Sequence, residues 1–268
     1  MSSRLPPRFI DRLRAAVGPP AVLIDPADCW AYGYDNSRLQ AQPDAVVLAA
    51  THDQVAAVVR LCNEAGVPLV ARGRGTGTTG ATVPVRGGVV LSLERMSRIL
   101  AIEPLDRIAR VEPGVTNQAL QDAVAAHGFF WPPDPTSAAV CTIGGNLACN
   151  AAGPRAVKYG TTRENTLGLR AVTGGGEEIR TGVMTTKGVV GYDFTRLLIG
   201  SEGTLAVITE ATLKLTPLPE ARHTLQATYR SVGAAAAAVS AIMAGTVTPC
   251  ALELMDRGAI DMIRGYQD

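Results

Sequence analysis

Charged and aromatic residues are both scarce in this sequence of 268 residues. Charged side chains make up 18% of it, aromatic side chains make up 4%, and the formal net charge at pH 7 is +1. A chain so close to neutral has no bulk electrostatic field that would draw it to nucleic acid or to an acidic membrane. The composition therefore favours a small-molecule partner and predicts no nucleic-acid partner.

Long apolar runs are missing as well. No stretch approaches the roughly 20 apolar residues that a membrane-spanning helix needs. The N-terminus, MSSRLPPRFIDRLRAAV, lacks the apolar core of a secretory signal peptide. We therefore predict no membrane span and a cytoplasmic location.

Cysteine and histidine are too few and too scattered to indicate a metal site. The five cysteines are odd in number and contain no C-x-x-C pair, which argues against a disulfide framework, a zinc site and an iron–sulfur cluster. We interpret them as reduced thiols of the core. The three histidines lie far apart in the sequence, so we predict no metal. These residues are Cys29, Cys62, Cys141, Cys149, Cys250, His52, His127 and His223.

Glycine, by contrast, is concentrated in one stretch. Residues 68–84, PLVARGRGTGTTGATVP, contain closely spaced glycines with threonines between them and two arginines at the entrance. Successive glycines let backbone N–H groups point to one side and form a concave anion site, to which hydroxyl and guanidinium groups add donors. A flexible surface loop is the alternative, and the arginines are then ordinary exposed ones. The predicted anion-binding residues are Arg72, Gly73, Arg74, Gly75, Thr76, Gly77, Thr78, Thr79 and Gly80.

Residues 75–80 also match the G-x-G-x-x-G pattern of Rossmann proteins, and Glu94 follows about twenty residues after its start. That pattern requires a helix directly after its third glycine. Here the next residues are ATVPVRGG, whose proline and glycine pair oppose a helix. We therefore place the loop between two strands, over residues 67–71 and 89–93, and keep a nicotinamide-binding Rossmann protein as the third alternative.

A second cluster, residues 142–153 (TIGGNLACNAAG), consists almost entirely of small residues and follows a loop that three prolines make rigid. Small side chains let a backbone approach a large flat ligand, but close packing of a helix against a neighbour requires them too. Both interpretations stay open at this point. No side chain in the cluster is suited to accept a proton as a base.

The remaining pattern predicts a mixed α+β chain. Amphipathic helices begin after the capping residues Thr51 and Thr116 and end at Gly66 and Gly128. Pro217 and Pro219 end the last long strand and mark a domain boundary. Further helices are predicted over residues 8–17, 191–199 and 232–244, and strands over 44–50, 99–103, 108–112, 204–216, 223–230 and 250–255, with a hairpin around residues 174–176.

Three blocks taken together resemble a known family. They are residues 71–80 (ARGRGTGTTG), residues 132–169 (PPDPTSAAVCTIGGNLACNAAGPRAVKYGTTRENTLGL) and residues 191–219 (GYDFTRLLIGSEGTLAVITEATLKLTPLP). In this order they resemble the FAD-binding, PCMH-type domain of the vanillyl-alcohol oxidase superfamily, in particular the glycolate oxidase flavoprotein subunit and the D-lactate dehydrogenases. The resemblance implies an α+β fold of two subdomains that clasp FAD, followed by the start of an α+β cap.

The resemblance also implies a role for individual residues. The loop of residues 73–80 would bind the pyrophosphate of FAD through its backbone. Tyr159 and Gly160 would lie near the isoalloxazine, and the backbone of Val207 and Ile208 would reach the adenine. The residues expected to line the flavin and the diphosphate are Pro135, Thr136, Ser137, Thr142, Gly144, Gly145, Asn146 and Ala148.

Two departures from the family pattern carry predictions. Covalent FAD attachment often uses a histidine of the pyrophosphate loop, which has none here, so we predict non-covalent FAD. The family's cap, which carries the histidines and arginine that bind the hydroxyacid, is represented only by its opening, with residues 250–262 (CALELMDRGAIDM) as first strand and helix. The predicted division is an N-terminal extension (1–39), the FAD-binding domain (40–217) and an incomplete cap (218–268).

The expected function is therefore an FAD-dependent oxidoreductase that oxidises a 2-hydroxy acid, such as glycolate or D-lactate, by hydride transfer to flavin N5. It would need a partner subunit or further polypeptide for its cap, and an electron-transfer protein is a further candidate partner. The alternative is a catalytically inactive FAD-binding fragment or subunit. No residue is assigned a catalytic role, and Glu202 either reaches the cofactor or satisfies backbone donors.

Overall fold

The computed structural model describes residues 5–267. Residues 1–4 of the predicted N-terminal extension and residue 268 of the predicted cap lie outside the described residues. The chain forms two α+β lobes, each with its own sheet and hydrophobic core. A largely exposed C-terminal segment follows them.

The first lobe is a four-stranded sheet in the order β1-β2-β4-β3. Strands β2, β4 and β3 run parallel and β1 runs antiparallel to β2. Strands β2 and β4 are short apolar runs that are buried on both faces, as is typical of parallel strands covered by helices, whereas the edge strand β3 is half-buried up to Arg72. The elements of this lobe are α1 (Pro7–Val17), β1 (Val22–Leu23), α2 (Pro26–Trp30), β2 (Ala45–Leu48), α3 (His52–Ala65), β3 (Leu69–Arg72) and β4 (Val89–Ser92).

The structure confirms the predicted capping of helix α3. The Thr51 hydroxyl accepts a hydrogen bond from the Gln54 N–H at 3.3 Å, and the Gln54 side chain accepts one from the Ala50 N–H at 2.8 Å. Gly66 ends the helix in the left-handed conformation, with φ of 63°. Helix α1 packs Leu13 and its apolar neighbours into the core of the same lobe, so the N-terminal extension belongs structurally to the first sheet.

The second lobe is a five-stranded antiparallel sheet in the order β5-β6-β10-β8-β9. Its core includes Trp131, whose side chain is 0% exposed and whose indole N–H donates to the Asn165 carbonyl at 3.0 Å. The elements are β5 (Ile99–Glu103), β6 (Ile108–Val111), α4 (Asn117–Ala125), β7 (Phe129–Phe130), α5 (Ile143–Ala148), α6 (Ala156–Tyr159), β8 (Thr166–Thr173), β9 (Glu178–Gly182), α7 (Phe194–Leu198), β10 (Ala206–Lys214) and β11 (Thr216–Pro217).

The two lobes share a buried contact through the second sheet. Val172 of β8 and Val207 of β10 pack into the core of the first lobe, whereas Ala171 and Ile208 pack into the core of the second. Because neighbouring residues of a strand point to opposite faces, this sheet is buried on both sides. The His52 ring of α3 adds a hydrogen bond across the contact, with 2.8 Å between its Nδ1 and the Thr209 hydroxyl.

The C-terminal segment corrects two predictions. The alanine-rich helix is present as α8 (Val232–Met243), and α9 (Arg257–Gln267) follows it. The strands predicted over residues 223–230 and 250–255 are not formed in the described chain. No residue from 218 to 266 is buried, and Leu225 is 94% exposed. An apolar run needs a neighbouring strand to become a ladder, and these two runs have none among residues 5–267.

Candidate functional site

A cleft lies between the two lobes, where β3 ends and β10 begins. It encloses about 610 Å³, including the space open to solvent. Its walls are mainly apolar or small, as is typical of cofactor sites. The lining residues are Ala71, Arg72, Gly73, Ala81, Thr82, Leu93, Pro113, Thr142, Gly144, Gly145, Ala148, Cys149, Ser201, Glu202, Gly203, Ala206, Val207 and Ile208.

The glycine loop runs from the cleft without forming a helix, as predicted, and joins two parallel strands of one sheet. Within the described chain, the seven consecutive backbone N–H groups of residues 73–79 have no hydrogen-bond partner. The Thr76 and Thr78 hydroxyls also lack a protein partner there. These residues are exposed or half-buried, so the run of N–H groups is open to an acceptor from outside the chain, either water or the anionic group of a ligand.

Two arginines flank this loop, and the structure gives both of them protein partners. The buried Arg72 guanidinium donates to the carbonyls of Tyr34 at 2.8 Å and Ala31 at 3.1 Å. Arg74 is half-exposed and lies 3.5 Å from a carboxylate oxygen of Glu94. Their predicted contacts with phosphate stay predictions, but the Arg72 hydrogen bonds give that side chain a role in holding the protein together.

Glu94 links the loop to the N-terminal part of the chain. The Tyr32 hydroxyl donates to its carboxylate at 2.7 Å. Burial, together with this hydrogen bond, raises the pKa of Tyr32 to about 12, so the phenol keeps its proton at neutral pH. The carboxylate that a Rossmann pattern would assign to a ribose is therefore engaged by Tyr32 and Arg74.

The small-residue cluster forms the opposite wall and contains α5. The Thr142 hydroxyl caps this helix by accepting from the Gly145 N–H at 3.3 Å. The Gly144 N–H donates to the Pro113 carbonyl at 2.8 Å, and a Cβ on Gly144 would overlap with Pro113. A Cβ on Gly73 of the loop would likewise overlap with the Thr142 hydroxyl. Close backbone packing, one of the two open interpretations, therefore accounts for the glycine at position 144.

Several predicted cofactor residues lie away from the cleft lining. The Asn146 side chain is buried and bonds to Asn117 and Cys141. The Tyr159 ring makes an edge contact with Phe130, at 5.3 Å between ring centroids. Gly160, with φ of 76°, packs against Glu164. The others outside the lining are Arg74, Gly75, Thr76, Gly77, Thr78, Thr79, Gly80, Pro135, Thr136 and Ser137.

The cleft lining includes Glu202, for which two roles were left open, and Cys149, which was interpreted as a core thiol. Glu202 takes a left-handed backbone conformation, with φ of 53°, and its N–H donates to the Ala148 carbonyl at 2.9 Å. Cys149 is exposed and lines the cleft, so its interpretation as a core thiol is wrong, and Cys250 is exposed as well. Partial desolvation of the thiol within the cleft, together with the negative charges of Glu202 and Asp35, raises the pKa of Cys149.

A second, polar cleft contains His52 and lies where α3 of the first lobe meets β8 and β10 of the second. The His52 Nε2 is 3.1 Å from a Glu178 carboxylate oxygen. Burial lowers the pKa of His52, and Arg170 adds to this effect, while Glu178 opposes it. Three acidic groups at this cleft have arginine partners: Glu112 pairs with Arg98, Glu178 with Arg170, and Glu210 with Arg110.

Residues 5–267 contain neither a metal-binding cluster nor a membrane-spanning helix. No group of His, Cys, Asp and Glu side chains there is arranged to hold a metal ion. No helix in that part of the chain has the length and apolar character needed to cross a membrane.

Comparison with known proteins identifies the family. The model of the FAD binding domain family matches residues 43–182. The chain belongs to this family. The C-terminal domain of FAD linked oxidases matches residues 218–268, which agrees with the resemblance of that segment to a cap.

Curated relatives of this FAD-binding chain are oxidoreductases. The glycolate oxidase subunit GlcD of Bacillus subtilis is 44% identical over 236 residues, which cover 88% of this chain and 50% of the relative. The D-lactate dehydrogenase of Archaeoglobus fulgidus is 39% identical over 245 residues, covering 90% and 54%. The chain spans about half the length of the curated relatives it matches.

Solved structures confirm the predicted fold. Alkyldihydroxyacetonephosphate synthase superposes with a TM-score of 0.73 at 26% identity, covering 82% of this chain and 46% of that one. Substrate-bound p-cresol methylhydroxylase superposes with a TM-score of 0.71 at 26% identity, covering 80% and 44%. The fold is thus the mixed α+β, PCMH-type FAD-binding fold, and the division at residues 39 and 217 stays a prediction.

FAD is accordingly the cofactor of this chain. The residues present fit such a ligand, because the free N–H groups of the glycine loop suit its diphosphate and the apolar cleft suits its rings. The comparisons therefore confirm the cofactor and leave the residue assignments open.

Proposed function

We propose that this chain binds FAD non-covalently and forms the cofactor-binding part of an oxidoreductase that acts on a small 2-hydroxy acid. The observation that carries the proposal is the run of seven unpartnered N–H groups in residues 73–79, directly beside an apolar cleft. These donors would hold the two phosphates, with the Thr76 and Thr78 hydroxyls as additional donors.

The cleft walls would hold the rings of the cofactor. Ala71, Leu93 and Pro113 offer apolar surface, and Val207 and Ile208 line the cleft where β10 begins. We propose the adenine end for Val207 and Ile208 and the flavin end for Tyr159 and Gly160. When bound, FAD supplies the electron chemistry by accepting a hydride from the substrate carbon.

Non-covalent binding is supported by the nucleophiles near the cleft. Of the described histidines, none lines the cleft, and His52 is engaged with Thr209. Cys149 does line it, but its raised pKa keeps the thiol protonated and therefore weakly nucleophilic at neutral pH. We expect acid denaturation to release all of the FAD into the supernatant. Flavin that stays with the protein pellet would contradict this part of the proposal.

The substrate class is inferred from the names of the relatives. Glycolate oxidase, D-lactate dehydrogenase and D-2-hydroxyglutarate dehydrogenase are all named for acids with a hydroxyl group on the carbon next to a carboxylate. The ionisable residues that line the cleft of this chain are Arg72, Cys149 and Glu202. We infer that the base and the carboxylate-binding groups come from polypeptide that completes the cap.

That short inventory of ionisable groups also favours the second candidate, a catalytically inactive FAD-binding chain. Two measurements separate the candidates. FAD titrated into apoprotein, followed by calorimetry and flavin fluorescence, should bind at one site; absence of binding would overturn both candidates. Anaerobic addition of glycolate or D-lactate should then bleach the flavin absorbance if the chain is active, and an unchanged spectrum would support the inactive one.

A further inference from the structure

The N-terminal segment of residues 31–37 contacts the glycine loop from the side that its N–H groups do not use. The Asn36 N–H donates to the Gly77 carbonyl at 2.9 Å, and the Asn36 side-chain amide donates to the Thr76 carbonyl at 3.3 Å. In a trans peptide the C=O of one residue and the N–H of the next point in opposite directions. These two bonds therefore turn the N–H groups of Gly77 and Thr78 away from the segment.

Asp35 fixes the far end of the loop. Its side chain is only 5% exposed. One carboxylate oxygen accepts from the Gly80 N–H at 3.0 Å, while the other accepts from the Ser37 N–H at 2.9 Å and from the Ser37 hydroxyl. Hydrogen bonds to an ionised group are the stronger kind, so Asp35 ties the last glycine of the loop to the segment.

Arg72 fixes the near end. Its guanidinium donates to the Tyr34 and Ala31 carbonyls, which both belong to the segment. It also lies against Gly75, where a Cβ would overlap with the guanidinium and where the backbone has φ of 66°. The loop is therefore held at its entrance, in its middle and at its end by one short stretch of chain.

We propose that residues 31–37 act as a clamp that sets the loop in its diphosphate-binding conformation, with Asp35 and Arg72 as positioning residues. The proposal rests on the proposed function, since the ligand is the diphosphate of FAD. Glycine-rich backbone has more conformations to lose than any other, and an unclamped loop would lose them when it binds. Because the clamp restricts the loop when the protein folds, less conformational entropy is lost when FAD binds, and binding is stronger.

The test compares two aspartates of the same region. Asp35→Asn keeps the size of the side chain but puts an amide beside the Gly80 N–H. Asp25→Asn is the matched control, because Asp25 caps α2 through the Ala27 N–H at 2.8 Å and has no contact with the loop. Loss of a hydrogen bond to a charged group predicts an increase of about tenfold in the FAD dissociation constant for Asp35→Asn and no change for Asp25→Asn.

A spectroscopic readout separates positioning from general damage. With saturating FAD, the ³¹P resonances should move in Asp35→Asn while the flavin absorbance spectrum stays the same, because only the diphosphate site is altered. Unchanged affinity and unchanged resonances, or equal weakening in both variants, would overturn the clamp. Failure of the wild-type chain to bind FAD is a different result and would overturn the proposed function instead.

A second variant covers the case in which Asp35→Asn does not fold. Asn36 is exposed, and Asn36→Ala removes only its side-chain bond to the Thr76 carbonyl. We expect weaker FAD binding with an unchanged circular dichroism spectrum of the apoprotein. FAD affinity equal to that of the wild type would count against the clamp.

Discussion

The glycine loop beside the cleft and α5, which forms one wall of it, both contain glycine, but Gly77 and Gly144 act in opposite ways. In the loop, the N–H groups of residues 73–79 are free, and a Cβ on Gly77 would meet no atom within 4 Å. In α5, the N–H groups of Gly144 and Gly145 are already bonded, and a Cβ on Gly144 would overlap with Pro113. Gly77 has open space and a free N–H for a ligand, whereas Gly144 lets two stretches of backbone meet.

The difference shows what distinguishes a binding loop from a packed turn. Glycine content is high in both the loop and α5, so it cannot distinguish the two segments. The state of the backbone N–H groups does separate them, because a donor without a protein partner is available to a ligand, whereas a donor bonded within the protein is not. A change at Gly77 should therefore affect ligand binding, and a change at Gly144 should affect stability.

Gly77→Asp should give the largest effect. The new carboxylate would occupy open space in the folded apoprotein but would stand next to the bound phosphates. Like charges brought together at a binding site cost several kcal/mol, so we expect FAD affinity to fall roughly a hundredfold. Gly174→Asp is the matched control, because Gly174 lies in the hairpin turn between β8 and β9 with equally open surroundings. Similar losses of FAD affinity in both variants would show that Gly77 has no special place beside the bound phosphates.

Gly144→Ala should give the second-largest effect, and it should appear in stability. Its methyl group would meet the Pro113 side chain and backbone, which overpacks the contact between α5 and the segment before α4. We expect the free energy of unfolding to fall by about 1–3 kcal/mol in denaturant titrations. Gly77→Ala, where the methyl group meets nothing, should stay within about 0.5 kcal/mol of the wild type. Equal destabilisation would show that both glycines serve packing.

The smallest effect concerns His52, at the contact between the two lobes. Burial lowers the pKa of His52, so below a pH of about 6.5 the unfolded chain takes up a proton that the folded chain excludes. The free energy of unfolding should therefore decrease as pH falls below this value, until the folded ring is protonated as well. His52→Asn should remove this part of the pH dependence, and His127→Asn, at an exposed site, should retain it. A steeper decrease in His52→Asn would contradict the assignment.

Much of the fold could be predicted because its signals are local. Thr51 and Gly66 mark the ends of α3, and the proline and glycines after Gly80 exclude a helix there. The strands predicted at residues 223–230 and 250–255 were wrong because a strand depends on a neighbour that its own sequence does not specify. The pairing of β7 with β11 was missed for the same reason, since it joins residues far apart in the chain.

The candidate site was predictable where backbone chemistry decides it. The glycine loop was found from its composition, and the family resemblance led to Thr142, Gly144, Gly145, Ala148, Val207 and Ile208, which all line the cleft. The Asn146 side chain is directed into the core instead. The sequence could not indicate this, because a small polar residue in a helix gives no sign of the side it faces. The contacts of Asp35 and Arg72 were missed because they connect segments about forty residues apart, and no local pattern records them.

The two tryptophans give each lobe its own optical reporter. Trp30 ends α2, immediately before the clamp, and is 56% exposed, whereas Trp131 is sealed in the core of the second lobe. Indole emission shifts to longer wavelength in water, so the two residues contribute red and blue components to a single spectrum. Quenching of the red component on addition of FAD would follow events at the glycine loop, and loss of the blue one would follow melting of the second lobe.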